Sequence, residues 1–135
     1  MRVLMIAAEN ASLPYGKVGG VGDVLRDVPN ALAEQQQQVD VIVPGYGLYQ
    51  SKECHAEFIT DFEVKFAHGF ETVSLFKYAC DSELVTQWIL EHELFAVGGI
   101  GNVYCADPNQ EVFAQDATKF ALFCAAVASV LVQKV

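Results

Sequence analysis

The chain has 135 residues, enough for one domain with a buried core, and 53% of them are hydrophobic. Its net charge of -9 argues against non-specific binding to nucleic acid or to an anionic membrane, although a small anion could still bind in a local basic pocket. The N-terminal apolar run is too short for a signal peptide, and the later stretch FALFCAAVASVLV is too short to span a membrane. These features predict a soluble, cytoplasmic protein.

The first third of the chain reads as strand, loop, helix and strand. Arg2 to Ala8 is a continuous apolar run typical of a buried parallel strand. Apolar residues then recur at helical spacing from Val21 to Leu32, although Pro29 should kink this helix or remove one backbone hydrogen bond. Val39 to Val43 forms a second buried strand. The pattern predicts a βαβ unit with parallel strands and a right-handed crossover.

The rest of the chain predicts a hairpin, a further strand and a long helix. The segments FITDFEVKFA and ETVSLFKYAC flank a short turn, and LVTQWIL follows as a strand. A helix is predicted from Val112 to about Gln133, with one apolar side made of Phe113, Ala117, Phe120, Ala121, Cys124, Val127, Ala128 and Leu131. We therefore expect an α/β fold: a Rossmann-like open, mostly parallel sheet with helices on both faces and a β-hairpin excursion.

The cysteines and histidines show no metal-binding spacing. No C-x-x-C pair occurs among the four cysteines, and the three histidines are scattered. We expect the cysteines to be buried or half-buried free thiols in a reducing compartment, and we expect no metal site.

The stretch PYGKVGGVGDV, residues 14–24, is the strongest candidate for chemistry. A glycine-rich turn before a helix exposes backbone N–H groups to an anion, and Gly19 and Gly20 would allow close approach. Lys17 adds a positive charge, and Asp23 falls in the first helical turn. The order matches neither the Rossmann nor the Walker fingerprint. By these residues alone, an anion-binding loop and a purely structural glycine turn with a solvated lysine are equally well supported.

Several motifs along the chain resemble one enzyme family. The segments MRVLMIAAEN and KVGGVGDVLRDVPNALAEQQQQVDVIVPGYG closely resemble the N-terminus of bacterial glycogen synthases and plant starch synthases. Later segments, ILEHELF and FAQDATKFALFCAAV, resemble the same family more loosely. The matching positions are Glu9, Lys17, Gly19, Gly20, Asp23, Val24, Pro29, Ala31, Leu32, Pro44 and Tyr46.

The resemblance implies a two-domain glycosyltransferase of the GT-B type. Such enzymes transfer glucose from ADP-glucose or UDP-glucose to an α-1,4-glucan with retention, and they need no metal or other cofactor. Lys17 would contact the donor phosphates, with Gly19 and Gly20 supplying backbone N–H groups. The residues implied on the sugar and acceptor side are Glu9, Asp23, Tyr104 and Asp116. For the last three, the structural alternatives are a first-turn acid, a packed loop aromatic and a helix N-terminal acid.

The chain also departs from the family pattern. Cys105 stands in place of a glycine, Ala117 in place of an asparagine and Lys119 in place of an arginine. The family's active-site histidine would lie beyond Val135, so the resemblance implies no catalytic residue within residues 1–135. We expect a partial N-terminal domain, inactive alone, whose C-terminal nucleotide-binding domain is absent. The alternative is a non-catalytic glucan- or nucleotide-binding module of the same fold.

Overall fold

The computed structural model describes residues 1–50, 55–104 and 112–133 of the chain. The elements follow the predicted order, with a short 3-10 turn at Glu93–Ala96 that the sequence did not indicate. The strands and helices are β1 (Arg2–Ile6), α1 (Gly20–Glu34), β2 (Gln38–Pro44), β3 (Glu57–Phe66), β4 (Gly69–Tyr78), β5 (Val85–Glu91) and α2 (Val112–Gln133).

The five strands form one mixed sheet in the order β1-β2-β5-β4-β3. β1 pairs parallel with β2, and β2 pairs parallel with β5, which confirms the predicted parallel βαβ unit. β4 pairs antiparallel with both β5 and β3. The predicted hairpin therefore extends the same sheet rather than leaving it, and half of the four pairings are antiparallel. The predicted α/β class is confirmed.

Two separate apolar cores cover the two faces of this sheet. Alternate residues of β2 point to opposite faces, as the period of a strand requires, so Val41 and Ile42 belong to different cores. The core with Val41 includes Leu25 of α1, and the core with Ile42 includes Leu122 and Phe123 of α2. Pro29 is buried within a continuous α1. The expected helices on both faces are therefore present.

Most of the apolar side predicted for α2 was wrong. Val127 is buried and Phe120 is half-buried, as predicted, but the other buried apolar side chains are Leu122, Phe123 and Ala126. The rest of the predicted side that the structure describes is exposed, namely Ala117, Ala121, Cys124, Ala128 and Leu131. The helix is apolar around most of its circumference, so periodicity could not select the side that packs on the sheet.

The structure also bears on two other expectations: that no segment is long enough to span a membrane, and that the cysteines are buried or half-buried. By length and composition alone, the segment Gln115–Gln133 of α2 could cross a membrane, with a mean hydropathy of 1.4. A core helix passes the same test, and α2 packs on the sheet through the buried residues named above. Cys80 and Cys124 are free, as expected, but they are exposed rather than buried. Cys54 and Cys105 lie outside the described residues.

Candidate functional site

The candidate site lies at the carboxyl edge of the parallel strands. β1, β2 and β5 run in the same direction, so the segments that follow Ile6, Pro44 and Glu91 meet at one edge of the sheet. In open α/β sheets this edge is where ligands bind. The glycine loop follows β1 at this edge and leads into the N-terminus of α1.

Backbone hydrogen bonds fold the loop between β1 and α1 tightly. The N–H of Asn10 donates to the Gly16 carbonyl at 2.9 Å, and the N–H of Gly16 donates to the Leu13 carbonyl at 3.1 Å. A side chain at Gly16 is impossible without rearrangement, because its Cβ would lie 2.2 Å from the Asn10 carbonyl oxygen. The buried amide of Asn10 also donates to Gln87 Oε1 at 2.8 Å, which ties the loop to β5.

Glu9 caps the N-terminus of α1 from a distance in sequence. Its buried carboxylate accepts the N–H of Val18 at 3.0 Å, that of Gly19 at 3.0 and 3.1 Å, and that of Gly22 at 2.7 Å. Gly19 occupies the N-cap position and has no side chain to cap the helix. The Glu9 carboxylate supplies that missing acceptor, and its charge suits the positive end of the helix dipole.

Lys17 and Asp23 form an ion pair across the mouth of this loop. Lys17 Nζ lies 2.9 Å from Asp23 Oδ2, and Arg26 lies 3.3 Å from Asp23 Oδ1. The Lys17 side chain is about half exposed, so it is accessible to a ligand. A donor phosphate that recruited Lys17 would compete with the Asp23 carboxylate for the ammonium group.

The two glycines predicted to contact phosphate differ in the structure. The N–H of Gly19 is directed at Glu9, so a phosphate oxygen at this amide would have to replace a carboxylate oxygen. Gly20 begins α1 and is exposed, and a Cβ placed on it would meet no atom within 4 Å. Open space above a helix N-terminus is what an incoming anion requires. The phosphate roles of both glycines and of Lys17 stay predictions.

Tyr46 stands at the centre of the other predicted site residues. It is buried in the turn after β2, and its hydroxyl donates to the Ala8 carbonyl at 2.5 Å. Burial raises the pKa of Tyr46, and the nearby acidic groups of Tyr104, Glu9 and Asp116 raise it further. The structure therefore brings Glu9, Tyr104 and Asp116 around one tyrosine. Their sugar and acceptor roles stay predictions.

A buried lysine, whose importance the sequence did not show, links Asp116 to the residue before Tyr104. The side chain of Lys119 is fully buried, and its Nζ donates to the Val103 carbonyl at 2.8 Å and lies 3.4 Å from Asp116 Oδ1. The ammonium group also lies 5.4 Å from the centre of the Tyr46 ring. The half-exposed ring of Tyr104 packs edge-on against Phe120 at 6.1 Å. Lys119 was noted only as a departure from arginine, because an apolar helix gives no signal that a lysine points inward.

Glu91 also lies at the carboxyl edge of the sheet, and its importance could not be recognised from the sequence. Its buried carboxylate accepts the N–H groups of Gly47 at 3.0 Å and Tyr49 at 3.2 Å. Burial raises the pKa of Glu91, and the two backbone hydrogen bonds oppose that rise. A Cβ at Gly45 would lie 2.4 Å from Glu91 Cδ, so the turn that carries Tyr46 requires glycine there. The only available signal was an acid directly after a buried strand.

Within residues 1–50, 55–104 and 112–133, no three His, Cys, Asp or Glu side chains are grouped to hold a metal ion. The metal-independent chemistry expected from the resemblance stays a prediction. The departure at Cys105 lies outside the described residues, and Ala117 is exposed on α2.

Comparison with known proteins decides the family. The sequence profile described as "Starch synthase catalytic domain" matches residues 2–135. The chain belongs to this family. It is 32% identical to a glycogen synthase of Clostridium beijerinckii over 98% of its length, and 36% identical to granule-bound starch synthase 1 of Zea mays over 70% of its length.

A solved structure shows the same fold. The catalytic domain of starch synthase IV from Arabidopsis thaliana, bound to ADP and acarbose, matches 98% of the chain with a TM-score of 0.74 at 24% identity. The chain spans only part of each relative: 25% of the Clostridium enzyme, 14% of the Zea mays enzyme and 25% of the Arabidopsis chain. The family and the GT-B-type fold predicted from the sequence are thus confirmed.

Proposed function

We propose that this chain forms the donor-phosphate side of the active site in a glycogen- or starch-synthase-like glycosyltransferase. The complete enzyme would transfer glucose from ADP-glucose or UDP-glucose to the non-reducing end of an α-1,4-glucan, with retention at the anomeric carbon. Membership of the starch synthase family supports the reaction class. The Arabidopsis relative was solved with ADP and acarbose, which supports a nucleotide sugar and a glucan as the ligands.

One observation carries the assignment of the phosphate site. Exposed Gly20 opens α1 at the carboxyl edge of the sheet, with free space above it and the half-exposed ammonium of Lys17 in the preceding loop. Backbone N–H groups and one mobile cation are a suitable partner for a diphosphate. In glycosyl transfer the nucleoside diphosphate gains negative charge as it leaves, so these groups would stabilise the transition state without a metal ion.

Glu9 sets the limits of this site. Its carboxylate already satisfies the N–H groups of Val18, Gly19 and Gly22, so we assign the direct phosphate contacts to Lys17 and Gly20. Glu9 fixes the N–H groups of Gly19 and Gly22, which lie on either side of Gly20 in the chain. The backbone of Gly20 is therefore held in place for a ligand. The donor would then bind to a preorganised loop, which avoids an ordering cost during the reaction.

A transfer assay tests the proposal. The 135-residue chain and the complete enzyme that carries it would each be incubated with glycogen and radiolabelled ADP-glucose or UDP-glucose. We expect label in glycogen only with the complete enzyme, and weak donor binding without turnover by the 135 residues. Turnover by the short chain would contradict the division of the site. A complete enzyme that binds glucan or nucleotide but transfers from neither donor would indicate the non-catalytic module instead.

The cytoplasmic location and the absence of nucleic-acid and membrane partners stay proposals. The two partner proposals rest on the net charge of -9, which opposes binding to polyanions. Cell fractionation with an antibody against this chain would test the location directly.

A further inference from the structure

Tyr15 is an exposed aromatic residue at the candidate site to which neither the resemblance nor the comparisons assign a role. Its exposed fraction of 81% is higher than that of half-exposed Tyr104, the other exposed tyrosine of the described residues. Its backbone has φ +56, in the left-handed region that glycine and asparagine adopt more easily than tyrosine. Within the described ranges, the Tyr15 side chain makes no hydrogen bond and no ring contact. Folding therefore gains little from a tyrosine here.

The loop nevertheless holds Tyr15 in a defined place. The residue before it is fixed because Tyr49 Oη donates to the Pro14 carbonyl at 3.0 Å. The residue after it, Gly16, is fixed by the hydrogen bonds to Asn10 and Leu13 described above. The backbone of Tyr15 is therefore held in a strained conformation between two anchored neighbours, and such strain is concentrated at functional positions.

The position places this ring beside the proposed donor site. Tyr15 is two residues before Lys17, and it lines one narrow cavity together with Glu9 and Tyr46. Tyr104 also lies near Tyr46, so the carboxyl edge of the sheet carries two exposed tyrosines close to Tyr46.

The chemistry of an open, uncharged ring selects the ligand. A hexose ring presents a face of C–H groups that packs on an aromatic face, while its hydroxyl groups stay in water or bond to the phenol. A nucleobase favours an enclosed slot, since small-molecule sites bury most of their ligand surface. Tyr15 has no facing aromatic residue among the described parts of the chain. A long polymer that passes over the surface fits this geometry better.

We propose that Tyr15 is a stacking platform for a glucose unit of the α-1,4-glucan acceptor. This assignment rests on the proposed function, and it adds a glucan contact that precedes the donor-phosphate lysine in the same loop. The ring acts by binding sugar and takes no part in proton or glucosyl transfer.

Titration of the 135-residue chain with maltohexaose, followed by NMR of ring-labelled tyrosine, tests the proposal. Only five tyrosines contribute signals, and the Tyr15→Asn variant identifies the Tyr15 resonances. Asparagine tolerates the left-handed backbone, so this variant should keep the loop folded. We expect the Tyr15 signals to shift in the wild-type chain and the Kd for maltohexaose to rise about five- to tenfold in Tyr15→Asn. The matched control is Phe70→Ala, which removes a 68% exposed aromatic ring at the hairpin between β3 and β4 and should leave the Kd unchanged.

The outcomes separate this proposal from the proposed function. Unmoved Tyr15 signals, or equal Kd values for wild type and Tyr15→Asn, would overturn the stacking role. A Tyr15 shift caused by ADP but not by maltohexaose would overturn it in favour of a nucleobase contact. If the complete enzyme still transfers glucose in those cases, the proposed function stands. If the complete enzyme transfers no glucose and the chain binds no maltohexaose, both fail.

Discussion

The Glu9 cap gives the sharpest stability prediction. The Glu9→Ala substitution removes the acceptor for the N–H groups of Val18, Gly19 and Gly22 at the start of α1. Loss of an N-cap acceptor costs about 1 kcal/mol, and a hydrogen bond to a charged group contributes about 1.5–3 kcal/mol. Water can replace some of the lost hydrogen bonds to the N–H groups of Val18 and Gly19, but Gly22 is buried, so its N–H group would be left without an acceptor. We expect the free energy of unfolding to fall by about 3 kcal/mol, a large part of a typical total of about 5–15 kcal/mol.

Urea denaturation followed by the fluorescence of Trp88, the single tryptophan, measures this change. The Glu9→Gln variant keeps one carbonyl oxygen and should lose about 1–2 kcal/mol, because its amide group faces N–H groups that also donate. The matched control is Glu34→Ala at the other end of α1, where an exposed carboxylate opposes the helix dipole and its removal should change little. A Glu9→Ala chain as stable as the Glu34→Ala chain would refute the capping role.

Two further predictions concern buried charges. Lys119→Met leaves the Val103 carbonyl without its buried donor and should lower the free energy of unfolding by about 3 kcal/mol. The control Lys65→Met, at an exposed position of β3, should change it by less than about 0.5 kcal/mol. Similar losses for both variants would contradict a stabilising role of the Lys119 contacts. Burial alone would raise the pKa of Asp40, but hydrogen bonds, chiefly from Arg2, hold it below its usual value. The folded pKa lies below the unfolded one, so this stabilisation is present at neutral pH and is lost as pH falls through the folded pKa. Denaturation curves below about pH 4 should therefore show a flatter acid loss for Asp40→Asn than for wild type, and parallel losses would rule out the contribution.

The order and type of the main elements could be predicted because local patterns determine them. The apolar run before Glu9, the helical spacing after Gly20 and the second buried strand each have a clear period, and the parallel pairing follows from the short βαβ connection. The orientation of α2 could not be predicted, because a helix that is apolar on most sides packs according to the shape of the sheet. The 3-10 turn Glu93–Ala96 was missed because four residues carry no periodic signal.

The candidate site was predicted in its residues more than in its contacts. The family motif drew attention to Glu9, Lys17 and Asp23, and the structure gathers them at one loop. The motif does not reveal that Glu9 accepts hydrogen bonds at the N-terminus of α1, or that Lys17 forms an ion pair with Asp23. Lys119 and Glu91 escaped attention because their importance comes from burial, which depends on neighbours distant in sequence.

The most direct measurement is the donor dependence of glucosyl transfer by the complete enzyme with Lys17→Ala. If Lys17 holds the donor diphosphate, kcat/KM for the sugar nucleotide should fall about 10- to 100-fold, with the glucan KM little changed. The control Lys65→Ala, at an exposed position of β3, should behave as wild type. A Lys17→Ala enzyme whose kcat/KM stays within about twofold of wild type would contradict the phosphate site at the start of α1.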